Sequence, residues 1–275
     1  MSRIITALIV LPVLIASILV DWLALLFIVL AIAAMVLGLY EFWLLAKRRD
    51  LKPDAVIGFL GAAALFTAFC FDAPTKQPDL LLVTLAAFTV AALARACLRG
   101  AAAFDKMIAS VGATLLGVLY IPMLGGYLVS VRTGFRQGLA ADLLSFFFLV
   151  IMGSDTGAYY TGRALGRHKL APRISPGKTW EGAVGGLIAS LLMATLAHFW
   201  FFRELDLRAA LPLAAVMNVL GVIGDLTESA LKRGAGAKDA AQILPGHGGL
   251  LDRLDSLLFN APLIYYFGRY YFERF

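Results

Sequence analysis

An all-α, polytopic membrane bundle of about nine transmembrane helices is what this sequence predicts, on three observations. Hydrophobic residues make up 61% of the 275, against roughly 45–50% in soluble domains. The mean hydropathy is +0.84. Runs long enough to cross a hydrocarbon core about 30 Å thick, which takes about 20 residues, recur along the whole chain.

In order, the runs fall near 4–20, 22–45, 55–71, 80–98, 107–131, 140–162, 182–202, 209–225 and 250–271. Before the first there is only Arg3, and no small-residue cleavage site precedes Asp21, so the opening run is expected to be a retained span rather than a removed signal. Asp21 reads as a tight outer turn and Glu41 as an interfacial acid near the inner end of the second span. Up to about 131 the helices are rich in Ala, Leu and Gly and carry few polar signals, which predicts a scaffold region, 1–131. Residues 132–275 form the expected catalytic region of the same continuous membrane domain. Cys70 falls toward the outer end of the third span and Cys97 toward the inner end of the fourth, and a disulfide between opposite membrane faces is excluded.

Cytoplasmic loops collect Lys and Arg. With the N-terminus inside, 17 of the 24 Lys and Arg fall on the cytosolic side, which places the loops after the sixth and eighth spans together there. The net charge of +6 is then topology and attraction to anionic lipid, not nucleic-acid binding.

Against only 15% charged residues overall, the window from Asp225 to Ser256 holds five of the eighteen acids and four basic residues. Asp225, Glu228, Ser229 and Lys232 share one helical stripe at i, i+3, i+4 and i+7. Asp252, Asp255 and Ser256 repeat that spacing at the start of the last span. Between them lie Lys238-Asp239 and the run Pro245-Gly246-His247-Gly248-Gly249, whose bare backbone suits close approach to a phosphate. Oxygen ligands with no thiolate or paired histidine are what Mg²⁺ selects. An internal salt-bridge network among the same residues is the alternative reading.

Two earlier segments belong with this window. Asp155 and Tyr159 lie one helical turn apart in an apolar span, so the acid is either functional or held in a structural hydrogen bond. Ser175-Pro176-Gly177-Lys178-Thr179 gathers hydroxyls, amides and an ammonium in a basic cytosolic loop ending in Trp180-Glu181. It is not a Walker A loop, and on its own it reads equally as the positive-inside signal.

Ser229-x-Leu231-Lys232-Arg233 with Lys238-Asp239, then Pro245-x-His247-Gly248-Gly249-x-x-Asp252-Arg253-x-Asp255, resembles the signature of the phosphatidate cytidylyltransferases, also called CDP-diacylglycerol synthases. Asp155 to Tyr159 and Ser175 to Gly182 resemble that family too; it often has Lys where Gly177 stands. The resemblance implies transfer of CMP from CTP to phosphatidate, with Mg²⁺ and a second cation such as K⁺. It also implies a homodimer in a bacterial-type inner membrane, with its active site facing the cytosol. Carried over residue by residue, Asp225 and Asp252 become the principal metal ligands, with Asp255, Glu228 and Asp155 in support. Lys232, Lys238 and Asp239 join the two aspartates as catalytic positions. Ser175, Lys178, Thr179, Ser229, Arg233, His247, Gly248, Gly249 and Arg253 become substrate contacts, with a capping role for His247 equally open. A CTP-using lipid kinase, a cytidylyltransferase for another lipid acceptor and a cation transporter are the rival readings. The acids cluster at one membrane face and no inverted repeat is visible, which disfavours transport. The D-x-x-D-G-x-x-A-R run of the CDP-alcohol phosphotransferases is absent.

Overall fold

The computed structural model describes residues 2–99, 101–237 and 249–273. Nine helical rods correspond to the nine apolar runs among them. They are α1 (Ser2–Leu19), α2 (Ala24–Lys47), α3 (Ala55–Cys70), α5 (Pro78–Cys97), a rod from Met107 to Gly134, α8 (Gln137–Leu165), α9 (Trp180–Trp200), α10 (Leu207–Gly234) and α11 (Leu251–Phe272), with a short α4 (Ala73–Lys76) after α3. Among the described residues six helical segments are long and apolar enough to cross a membrane, and Ala55–Cys70 is a shorter apolar helix. The protein is an all-α, polytopic membrane bundle.

Local chemistry sets the helix ends. Asp54 caps α3 by accepting the Ile57 amide at 3.1 Å, Pro78 opens α5, where no helical N–H is needed, and Thr179 accepts the Gly182 amide at 3.1 Å to start α9. The fifth rod is α6 (Met107–Val118) and α7 (Leu124–Gly134) joined by a π-helical turn, Leu119–Met123. Pro122 in that turn has no N–H to give the ladder, and the wider turn absorbs the loss.

Ion pairs sort the bundle into two ends. Arg95 and Arg99 meet Asp54, and Lys106 meets Asp50, at one end. Arg132 meets Asp21, Arg136 meets Glu204, and Arg269 meets Asp72 at the other. Each of these pairs joins loops that the charge count assigns to the same side. Asp21 opens a 3₁₀ turn, Asp21–Leu23, in place of a simple tight turn.

In the second half α8 packs most extensively on α9, and α10 lies between α9 and α11. Glycines make this possible. A Cβ on Gly157 would sit 2.4 Å from the Ala189 Cβ, and one on Gly224 would sit 2.5 Å from the Asp255 carbonyl oxygen. Gly224 therefore lets α10 bring Asp225 and Glu228 against the first turns of α11. Gly224→Ala forces the two helices apart, and overpacking of this kind costs about 1–3 kcal/mol. We expect a lower melting temperature for the purified variant in detergent; an unchanged one would mean that the close approach is not required.

Candidate active site

A cavity of about 600 Å³ opens at the Lys- and Arg-rich end of α8, α9, α10 and α11. Asp155, Asp225, Glu228, Asp252 and Asp255 all line it, together with Arg163, Lys178 and Lys232. Five carboxylates thus face three cations. The two acidic stripes meet: the Lys232 ammonium lies 2.6 Å from Glu228 Oε2 on its own helix and 2.5 Å from Asp252 Oδ1 on α11. Asp252 also accepts the Gly249 amide through Oδ2 at 3.2 Å. Lys178 reaches in from the other segment to Asp225 Oδ2 at 2.5 Å. Asp255 is buried, and its Oδ1 takes the Ser256 amide at 2.6 Å. Glu228 is 1% exposed, and its Oε1 is a buried acceptor without a hydrogen-bond partner.

The segment that carries Lys178 is not a plain loop. Strands β1 (Lys169–Ala171) and β2 (Ser175–Thr179) form a two-stranded antiparallel hairpin. Glu181, on the first turn of α9, fixes its base. The Glu181 carboxylate accepts the amides of Arg167 at 3.1 Å and His168 at 3.2 Å, and lies 2.6 Å from His168 Nδ1. Arg233 donates to the Ile174 carbonyl at 3.4 Å, linking α10 to the hairpin tip. The Pro and Gly within β2 concealed the strand from a reading by propensity.

Of the remaining predicted residues, Thr179 and Tyr159 line the cavity. Ser175, Ser229, Arg233, Gly249 and Arg253 sit around it rather than in its described wall. Lys238, Asp239, His247 and Gly248 lie outside the described residues. One residue without a signal in the sequence, Asn218, and one placed differently, Glu41, bear on the frame of the cavity. Asn218 donates to Ser154 Oγ at 2.7 Å between α10 and α8. Glu41, expected as an interfacial acid, is fully buried and accepts the amides of Leu250 and Leu251.

Among the described residues no three His, Cys, Asp or Glu side chains form a metal cluster by themselves. The donor chemistry nevertheless suits a hard divalent cation held by one or two carboxylates, with water and phosphate oxygens completing its shell, the manner in which Mg²⁺ binds at phosphate sites. The surplus of carboxylates over cations and the unpartnered Glu228 oxygen both fit such a guest.

The sequence profile described as the Cytidylyltransferase family matches residues 1–271. The chain belongs to that family. The match runs from the first helix through nearly all of the last. The phosphatidate cytidylyltransferase of Bacillus subtilis is 34% identical over 230 residues, 81% of this chain and 82% of that protein. The Haemophilus influenzae protein of the same name is 45% identical over 129 residues, 46% of this chain and 45% of the relative. The one from Staphylococcus haemolyticus is 43% identical over 150 residues, 54% and 56%. The matched segment therefore spans about half the length of the last two.

Glu181→Ala removes three hydrogen bonds from the base of the hairpin. Local opening made easier by roughly 1 kcal/mol corresponds to about fivefold faster attack on exposed backbone. Trypsin should cut after Arg167, Lys169 or Arg173 faster by that factor in the variant; equal rates would mean that Glu181 does not hold the hairpin.

Proposed function

We propose that this cytidylyltransferase-family protein is a phosphatidate cytidylyltransferase, converting CTP and phosphatidate to CDP-diacylglycerol and pyrophosphate. The observation that carries the reading is the convergence of Asp225, Glu228, Asp252, Asp255 and Asp155 with Lys178 and Lys232 in one cavity at the basic end of the bundle. The names of the relatives support it. The reaction joins an oxygen of the lipid phosphate to the α-phosphorus of CTP and breaks the bond from that phosphorus to the oxygen bridging to the β-phosphate, so pyrophosphate leaves with the electron pair. A phosphomonoester has a second pKa near 6 and is largely a dianion at neutral pH, so no side chain need serve as general base.

The work of the protein is to bring two polyanions together and to offset their charge. Mg²⁺, when bound, would neutralise phosphate oxygens and stabilise the leaving pyrophosphate; Asp225 and Asp252 are its principal holders in this reading, with Glu228, Asp255 and Asp155 in support. Lys178 and Lys232, each ion-paired to carboxylates in the cavity, can pass their N–H groups to phosphate oxygens. Arg233 and Arg253, exposed at the rim, together with Lys238 and the run from His247 to Gly249, complete the phosphate contacts. Ser175, Thr179, Ser229 and Asp239 belong to the same set by family pattern. The second cation, the homodimer and the inner membrane are part of this proposal. The basic end, with 17 of the 24 Lys and Arg, faces the cytosol, where CTP is found. Phosphatidate stays in the bilayer and CTP in water, and a cavity at the helix ends meets both at headgroup depth.

Asp225→Asn should lower turnover by about a hundredfold or more while leaving yield and melting temperature near wild type. The assay supplies CTP, phosphatidate and Mg²⁺ to purified protein and follows pyrophosphate and CDP-lipid. Wild-type turnover in the variant would remove Asp225 from the site. Release of CDP in place of pyrophosphate would make the protein a lipid kinase.

A further inference from the structure

Glu41 lies on α2, in the half of the chain whose helices line none of the cavity described above, yet its carboxylate is committed to the cavity's frame. It is 0% exposed. Its Oε1 accepts the Leu250 amide at 2.9 Å and its Oε2 the Leu251 amide at 2.7 Å. These are orphan donors at the start of α11, where Leu250 offers no side-chain cap of its own. An ordinary Ser or Asp cap would satisfy such donors from within the same segment. A cap brought from 209 residues away does something more, because it fixes the direction and depth of α11 against α2. The next residue along the chain is Asp252. Its two oxygens take the Gly249 amide and the Lys232 ammonium, so the amides of 249, 250 and 251 are consumed in sequence by Asp252 and Glu41.

The same end of α2 also holds α10. Arg49, just past the helix, donates Nε to the Gly234 carbonyl at 2.6 Å, on the last residue of α10. One turn before Glu41, Gly38 leaves room for Leu254 of α11; a Cβ there would stand 3.0 Å from Leu254 Cδ1. The inner end of α2 thus grips the end of one acid-bearing helix and the start of the other.

We propose that Glu41 is a positioning residue for the reaction, setting the place of Asp252 and Asp255 relative to Asp225 and Glu228 and so the affinity of the cavity for its divalent cation. The inference rests on the metal-assisted reading of the cavity given above. Groups that orient metal ligands without touching the metal typically contribute ten- to hundredfold in affinity or activity.

Three variants test it. Glu41→Gln keeps the length but faces one amide with an NH₂ group. Glu41→Ala removes both acceptors. Leu250→Pro deletes one donor from the opposite side, at a backbone φ of −69° that proline adopts without strain. Each is purified and titrated with Mg²⁺ at fixed CTP, reading pyrophosphate release and, separately, the Mg²⁺-dependent rise in melting temperature. The expected result is an Mg²⁺ midpoint raised about tenfold in both readouts for Glu41→Gln and Leu250→Pro, and further for Glu41→Ala, with KM for phosphatidate changed less than twofold. Asp72→Asn, at the far end of the bundle, is the structural control; it lowers the melting temperature and leaves the Mg²⁺ midpoint alone. Should Glu41→Ala fail to fold, the other two variants decide. Midpoints equal to wild type in the folded variants overturn the proposal and leave Glu41 a helix cap only. Asp252→Asn separates the two readings. Wild-type turnover and Mg²⁺ response in that variant would overturn the metal site itself, whereas its inactivity beside a normal midpoint in Glu41→Gln would overturn only the role of Glu41.

Discussion

Carboxylates sharing a cavity in a hydrocarbon bundle repel one another and lose hydration, and each carries a burial cost of a few kcal/mol unless it is paired. Here Asp155, Asp225, Glu228, Asp252 and Asp255 share one cavity, and the ammoniums of Lys178 and Lys232 lie within 2.6 Å of three of them. Much of the second half follows from satisfying that constraint. Asp252 and Asp255 sit on the first turns of α11, and Asp155, Asp225 and Glu228 on the C-terminal halves of α8 and α10, so all five gather toward the basic end of the bundle. The helices approach closely enough for one lysine to bridge two of them, which requires Gly224 where α10 crosses α11. The hairpin brings Lys178 to Asp225, and Glu181 anchors it from the helix that follows.

The pairing is incomplete, and that incompleteness connects structure to chemistry. By charge alone, an excess of carboxylates with an unpartnered buried oxygen on Glu228 disfavours an anionic guest. In the proposed reading, a divalent cation held by the carboxylates would offset that excess and free the lysines to meet phosphate oxygens. The far end of the bundle is built differently. Arg269 is buried against Asp72 and donates to the Gly134 carbonyl, while Tyr265 donates to Asp72 at 2.5 Å, a closed set of partners suited to holding helices together. The Asp72 set is closed, whereas the cavity at the other end holds more carboxylates than cations.

The helices were legible because each apolar run is long and the loops between them carry the charge. The facing acidic stripes were legible too, since Asp225, Glu228 and Lys232 keep helical spacing and point into the cavity. Ser229 has the same arithmetic and sits beside the wall, because a stripe of about 100° has edges that spacing alone does not rank. The hairpin was hidden by strands of three and five residues containing Pro and Gly. Glu41 was hidden for a deeper reason. Its partners lie 209 and 210 residues away, and no local pattern distinguishes an acid that caps a distant helix from one that meets the membrane surface. Lys238, Asp239, His247 and Gly248 rest on the motif alone.

The central claim is that the cavity accepts CTP only when a cation has offset its carboxylates. Equilibrium dialysis of radiolabelled CTP against the purified protein, with Mg²⁺ and with EDTA, measures this directly. Saturable binding with Mg²⁺ and a loss of affinity of at least about a hundredfold in EDTA is the predicted result, since removing two units of compensating charge at close range costs several kcal/mol at the effective dielectric of such sites. Equal CTP affinity with and without the divalent cation would contradict the account.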